Sequence, residues 1–459
     1  MASTYLHRTM GSGDRNKWTL SVWLKKCKTG DNQRIITVSD NATYDDNLRF
    51  DADDKLLLVY NNATVFMTNR RFRDKNAWYH ICLKVDTAQS SANDRVVLYV
   101  NGVDERSTGG YSTDSMPSQS QDGYINHNVQ HVIGMTNPTA SSNFFDGCMS
   151  HYHFTDGYAY TASTFGSTDS TTGEWKINTS PSITMGTNGF TIMKDGNTIT
   201  DQSSNSNDFT LGAGTLTKTE DNPSNVFDTL NTNIAVTGGV AGRDGSVRIF
   251  YENGNTRMST DVALWSAMLG SIPMTKGKYY FECMRTYEGS PSNHLAWIGI
   301  EEISTAGTNL GSPAGTNTNA IGYYSSDGGT NKSNSGTGNS YGTWSSNNDI
   351  AMCAIDLDNN FIYFGVNGTW GNSCNPESGG SGTGGIAITA GKTYVTAMTV
   401  HRGGGSAGGD KSMLKFNFGN GYFQTTQVAS AGTNASGLGI FEYNVPAGYS
   451  AICTKGLNE

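Results

Sequence analysis

Charged side chains are few: Asp, Glu, Lys and Arg make up 15% of the 459 residues, against about 25% in an average globular chain. Of these, 31 are Lys or Arg and 40 are Asp or Glu, for a formal net charge of −9. That balance argues against a basic nucleic-acid binder. Proline is also scarce, at 9, which together with the lack of glycine at every third position excludes a collagen-like repeat. Heptad blocks of Ala, Glu, Lys and Leu are missing, and a coiled coil with them. Aromatic residues reach 10%, too many for a disordered chain. No run of about 18 apolar residues occurs, so neither a membrane-spanning helix nor membrane insertion is expected. Met1–Arg15 has no apolar stretch of signal-peptide length. The expectation is a protein made in a cytoplasm, reaching any outside role by lysis or within a particle.

Reactive patterns are equally sparse. The seven cysteines (27, 82, 148, 283, 353, 374 and 453) form no CxxC pair, which argues against a zinc or redox centre. Cys82, Cys148, Cys283 and Cys353 lie in apolar strand-like runs and read as small buried hydrophobes. There is no GxSxG elbow, no HExxH, no P-loop lysine and no GxGxxG between a strand and a helix. The chain is therefore expected not to be an enzyme, and no cofactor is expected.

What is abundant is glycine, 56 residues, with Ser, Thr and Asn as filler between short runs of Val, Ile, Tyr, Phe and Trp. Such runs span 18–23, 35–38, 56–60, 78–85, 96–100, 131–133 and 149–154. A second group spans 246–251, 278–285, 295–300, 320–324, 350–355, 361–366, 394–399 and 413–418. Short aromatic and β-branched runs separated by turn residues predict antiparallel strands. Asn101-Gly102 and Asn367-Gly368 predict two-residue hairpins, because a type I′ turn needs positive φ at both central positions. In Trp78–Val85, Trp78, His80, Cys82 and Lys84 face one way, and Tyr79, Ile81, Leu83 and Val85 the other. No stretch of twelve residues keeps helical periodicity; 264–269 comes nearest. The predicted fold class is all-β, with two antiparallel sandwiches (1–160 and 226–427), an ordered connector (161–225) that packs against a domain, and a C-terminal segment (428–459).

WTLSVWLK (18–25), LRFDADDKLLLVYN (48–61), FRDKNAWYHICLKVD (72–86), DRVVLYVNGV (94–103) and FFDGCMSHYHFTDG (144–157) follow one another in an order that resembles the laminin-G/pentraxin-like branch of the concanavalin A-type lectin sandwiches. GKYYFECM (277–284), HLAWIGI (294–300), NDIAMCAIDLDNNFIYFGVNGTW (348–370), TYVTAMTV (393–400) and LKFNFG (414–419) resemble a SPRY sandwich. The segment FGSTDSTTGEWKINTSPSITMGTNGFTIMKDGNTITDQSSNSNDFTL (165–211) and the C-terminal GIFEYNVPAGYSAICTKGLNE (439–459) resemble structural proteins of tailed bacteriophages, in particular marine and cyanobacterial podovirus-like ones. That resemblance implies a virion protein, assembled in the host cytoplasm and located on the tail or as a surface appendage. It further implies homo-oligomerisation as a trimer and partners among other virion proteins and a host-surface glycan or protein. The reading it supports is a tail-fibre or appendage subunit that mediates attachment. A capsid decoration or head-fibre protein is the alternative, since no separate tail-attachment domain precedes the lectin-like block, and a polysaccharide-degrading tailspike is the third.

Several side chains are candidates for chemistry. His151 and His153 stand two apart on a strand, a spacing that suits a shared metal, or simply two polar positions on a sheet face. Asp40, Asp45, Asp46, Asp51, Asp53 and Asp54 cluster; the laminin-G resemblance allows Ca²⁺ there, and a solvated turn is the other reading. Asp356 and Asp358 mimic a glycosidase pair but lead into a predicted hairpin turn. For saccharide binding, Tyr323, Tyr324, Asp327, Tyr341, Trp344 and Trp370 lie in or beside Asn/Ser/Gly-rich stretches and are the expected ligand contacts, through ring stacking and polar bonds to hydroxyls. The alternative is that Trp344 and Trp370 fill the sandwich core or cover its edge.

Overall fold

The structure, a computed structural model, describes residues 4–40, 44–136, 141–194, 198–232, 249–252, 254–260, 265–288, 294–304, 320–325, 341–402 and 411–455. It divides into two compact units, 1–218 and 219–459.

The first unit holds β1 (Tyr5–Thr9), β2 (Lys17–Lys26), β3 (Gln33–Asp40), β4 (Tyr44–Phe50), β5 (Lys55–Tyr60), β6 (Ala63–Arg71), β7 (Tyr79–Asp86), β8 (Val96–Val100), β9 (Val103–Asp104), β10 (Tyr111–Asp114), β11 (Gln130–Ile133), β12 (Gly147–Asp156), β13 (Gly166–Thr168), β14 (Trp175–Ile177), β15 (Phe190–Ile192) and β16 (Thr210–Ala213). Eight strands form one sheet in the order β10-β6-β5-β4-β3-β11-β1-β16, and six form another, β15-β12-β2-β7-β8-β9. Alternation along the strands sends one set of side chains inward. Leu48, Phe50, Leu56, Leu58, Ile133 and Leu6 meet Trp18, Leu20, Val22, Ile81, Leu83, Val85 and Phe154 in a single apolar core. This is a sandwich of two antiparallel sheets, as the spacing of short strands predicts.

Of residues 161–225, expected as a connector, 161–218 belong to this unit and 219–225 to the second. Phe190 and Ile192 on β15 and Phe209 before β16 lie in its core, and β16 pairs along β1. The polar stretches between those aromatics hid the strands.

The second unit contains β17 (Ile249–Glu252), β18 (Arg257–Thr260), β19 (Trp265–Leu269), β20 (Lys278–Glu288), β21 (His294–Glu302), β22 (Ala320–Ser325), β23 (Ile350–Asp356), β24 (Phe361–Val366), β25 (Thr369–Trp370), β26 (Ile386–Ala387), β27 (Tyr394–Arg402) and β28 (Lys411–Asn417). One sheet runs β17-β18-β28-β20-β23-β24-β25, with β26 on β24, and a four-stranded sheet runs β19-β27-β21-β22. Met268, Ile298, Ile300, Met398 and Val400 of the four-stranded sheet pack on Phe281, Cys283, Ile355, Phe364 and Phe416 of the other. The segment nearest to helical periodicity is thus strand β19. The C-terminal segment is part of this unit: Ser450–Ala451 pairs in parallel with β20, and Phe441, Tyr449 and Cys453 are buried with Tyr280 and Tyr363.

Both Asn-Gly hairpins form with left-handed φ at both residues, 49° and 81° at Asn101-Gly102 and 49° and 83° at Asn367-Gly368. Among the described residues, no helix is long and apolar enough to cross a membrane.

Candidate functional site

Five of the six expected ligand contacts fall within the described residues, and they are not gathered into a site. Tyr323, Tyr341 and Trp344 are core residues, 0–2% exposed. The Tyr323 ring stacks on Trp344 at 5.5 Å and on Phe364 at 5.4 Å, and its hydroxyl donates to Gly342 O at 2.7 Å. Tyr341 donates to Gly384 O at 3.2 Å. With their faces covered, these rings offer no stacking platform, and the core-filling alternative holds for Trp344. Tyr324, next along β22, points to the opposite face, where it packs half-buried near Trp297. Trp370 is half-buried on β25, edge-on to Tyr280 at 6.3 Å. The two rings that keep solvent access therefore sit on different sheets. Asp327 lies outside the described residues.

The remaining candidates are held by local structure. Asp356 is buried against Lys278 Nζ at 3.0 Å and accepts Asn359 N–H at 2.9 Å. Asp358 accepts Gly277 N–H at 2.8 Å. Both brace the turn between β23 and β24. His153 bonds Thr191 Oγ1 and His151 bonds Ser150 Oγ, each at 2.8 Å. An irregularity in β12 between Ser150 and His153 breaks the simple alternation their spacing suggested. In the aspartate cluster, Asp54 takes Lys26 Nζ at 2.8 Å and Gly30 N–H at 3.0 Å. Asp53 pairs with Arg71, Asp51 accepts Asp53 and Lys55 N–H, and Asp46 accepts Tyr124 and Asn62 N–H. Burial raises the Asp46 carboxyl to about 6. The Asp40 side chain lies outside the described residues. Among the described residues, no three His, Cys, Asp or Glu side chains come together to hold a metal ion.

One pair resembles catalytic machinery and was not legible in the sequence. Ser21 Oγ lies 2.9 Å from His80 Nε2, on the outer face of the six-stranded sheet. Trp175 Nε1–H donates to His80 Nδ1 at 3.1 Å, which puts the neutral ring's proton on Nε2. That nitrogen donates to the serine and cannot take its proton, the reverse of a hydrolytic dyad. Burial alone drives His80 down to about 3. Ala162 and Phe165, with Tyr160, Trp175 and Ile183, cover this face.

The outward face of the eight-stranded sheet is different. His7, Val132, Thr37, Asn47 and Val59 stand in one row across β1, β11, β3, β4 and β5. Arg34, Arg49, Leu57 and Met67 form the next row. None of these nine side chains joins the apolar core. Val132, Thr37 and Asn47 are buried and make the floor, whereas Tyr5, His7, Gln130, Asp45 and Arg49 keep solvent access. The groups are linked: Arg49 Nη1 donates to Asn47 Oδ1 at 2.6 Å, and Asn47 Nδ2 donates to Asp45 Oδ1 at 3.0 Å. Gln130 Nε2 lies 3.3 Å from His7 Nδ1, and the Tyr5 and His7 rings are 6.1 Å apart. From His7 to Asn47 is three strand spacings, about 14 Å.

Arg34 reaches this face through a β-bulge. Strict alternation back from Thr37 would turn Arg34 toward the core. The register shifts between Arg34 and Ile36, setting Arg34 opposite Arg49, while Ile35 and Ile36 both enter the core. A bulge re-aims a side chain in this way. Arg34 is 7% exposed. Its Nε and Nη1 are buried with no hydrogen-bond acceptor among the described residues, and its contact with Asp45 Oδ1 is long, 3.8 Å. Burial and the facing Arg49 charge lower its pKa to about 10.

Residues 2–164 match the family described as the concanavalin A-like lectin/glucanases superfamily. No curated protein matches the chain. Among solved structures, the chain is similar to the SPRY domain of human HERC1, with 14% identity over 38% of this chain and 94% of that one, TM-score 0.28. Another human SPRY domain is 17% identical over 36% and 93%, TM-score 0.26. A heptameric SAP-like pentraxin from Limulus polyphemus is 16% identical over 35% and 72%, TM-score 0.25. The first unit thus carries the similarity to lectin-type sandwiches, and the chain as a whole is all-β.

Proposed function

We propose that this chain is a non-enzymatic saccharide-binding protein whose binding face is the outer side of the eight-stranded sheet. The observation that carries the reading is the set of groups on that face. Amide and carboxylate groups of Gln130 and Asp45 suit sugar hydroxyls, and the Tyr5 and His7 rings suit C–H faces. The family matched by residues 2–164 is described by both lectins and glucanases. Binding is favoured because Ser21–His80 has its proton on the wrong nitrogen and Asp356 is tied to Lys278. On the resemblance of 165–211 and 439–459 to tailed-phage structural proteins, the chain serves as an oligomeric tail-fibre or appendage subunit. It assembles with other virion proteins and attaches to a host-surface glycan or protein.

Adsorption of fluorescently labelled protein to bacterial cells and to their extracted surface polysaccharide tests this. Saturable adsorption is expected, weakened by Tyr5→Ala and Gln130→Ala, with antibodies marking the tail or appendages of intact particles. No adsorption to any extract, or release of reducing ends from it, overturns the reading. Label confined to the capsid shell moves the protein to a decoration role.

A further inference from the structure

We propose that the outer face of the eight-stranded sheet takes an acidic saccharide, with an oxyanion substituent of the sugar seated between Arg34 and Arg49. This rests on the saccharide-binding reading above and adds the charge of the ligand. Arg34 and Arg49 face each other directly across β3 and β4, where like charges destabilise a sheet. In a chain of net charge −9 with many carboxylates to choose from, the only ion pair made by Arg34 among the described residues is the 3.8 Å contact with Asp45. Asp45 is itself exposed and shared with Asn47. Two Arg34 nitrogens are buried without acceptors among the described residues, a cost that folding ordinarily avoids. The bulge at Ile35 is what puts them there. A carboxylate or sulfate between the two guanidiniums would accept from Arg34 Nη1 and from Arg49 at once and relieve the repulsion. Gln130 and the Tyr5–His7 pair then lie along the same face to engage the rest of the sugar chain. Burial, and after it the Arg49 charge, lower the Arg34 pKa by more than Asp45 raises it.

Native affinity electrophoresis of the full chain tests this in gels containing polygalacturonate, its fully methyl-esterified form, dextran sulfate, dextran or poly-L-glutamate. Retardation by polygalacturonate would assign the oxyanion as carboxylate, and retardation by dextran sulfate as sulfate. The neutral counterpart of each is expected to leave mobility unchanged. Arg34→Gln is expected to weaken retardation about tenfold or more, the loss of a charge-assisted contact. Arg49→Gln, at a half-exposed position, keeps the test valid if the buried substitution unfolds the sandwich by circular dichroism. Lys84→Gln on the other sheet controls for the loss of one positive charge and should bind as wild type. Equal retardation by a neutral counterpart would overturn the acidic assignment and leave the saccharide reading standing. Retardation by poly-L-glutamate matching that by the polysaccharides would assign the face to an acidic polypeptide. Retardation by none of the polymers would overturn the inference, and the adsorption test above then decides the saccharide reading separately.

Discussion

Glu282 on β20 accepts the Tyr280 hydroxyl at 2.9 Å, Asn417 Nδ2 at 3.2 Å, and the backbone N–H groups of Glu442 and Tyr443 at 2.9 and 2.8 Å. It ties the C-terminal segment to the second sandwich. Burial outweighs these four donors and raises the carboxyl to about 7, well above the ~4.3 of an unfolded glutamate. The folded unit therefore holds the proton more tightly than the unfolded chain. The stabilisation is complete below the unfolded value and is lost as pH rises through about 7. We expect the urea stability of wild type relative to Glu282→Gln to fall by up to about 3 kcal/mol between pH 4 and 8. A difference that stays flat over that window would contradict it. Gly102 makes a second residue-scale case. Its φ is 81°, and a Cβ there would lie 2.2 Å from the Trp175 ring. Gly102→Ala should cost about 1–3 kcal/mol, read as a lower Tm together with a shift in tryptophan emission. That hairpin was legible from two letters, because Asn-Gly has few alternatives. The burial of Tyr323 and Trp344 was not, since a tyrosine before a glycine-rich run has the same local sequence whether it faces a core or a ligand.

At the scale of elements, the segment around Phe165 and Trp175 acts as a cover on the outer face of the six-stranded sheet. His80 records that cover: stacked on Trp23 at 5.0 Å and on Trp175 at 5.9 Å, it stays neutral. Trp175→Ala should let water reach the ring and move its pKa from about 3 toward the ordinary value near 6.5. Titration of the His80 ring signals by NMR checks this, and an unmoved pKa would assign the shielding to Trp23 and Phe165 instead. The sequence marked β7 as two-faced but left open what lay against its mixed face. It also concealed β4, because YDDNLRF is mostly polar. Only its pairing between β3 and β5 makes those polar residues a sheet face. The Ile35 bulge was invisible for the same reason, since RIITV reads as an unbroken strand until its register against β4 is known.

At the scale of the molecule, the chain divides into two compact units between Lys218 and Thr219. A polypeptide of residues 1–218 should fold alone, with a single cooperative urea transition. One ending at residue 160 should not, because it lacks Phe190, Ile192 and Phe209, all core residues. Each such side chain contributes about 1.5–3 kcal/mol, a large share of a typical net stability of about 5–15 kcal/mol. A stable, cooperatively unfolding 1–160 fragment would show that β15 and β16 are dispensable. The boundary near residue 160 followed a drop in hydrophobic density. Three-residue strands such as β15 lie below what periodicity resolves, and they matter only through the partners they find.

The class of fold, the two sandwiches and the Asn-Gly hairpins were determined by the sequence alone, because side-chain alternation and positive-φ turns are properties of a few adjacent residues. Which rings are core, which face is covered, and that Arg34 stands opposite Arg49 with two of its nitrogens unbonded among the described residues were decided only by tertiary structure. Burial and charge pairing depend on strands that neighbour one another in the sheet and not in the chain.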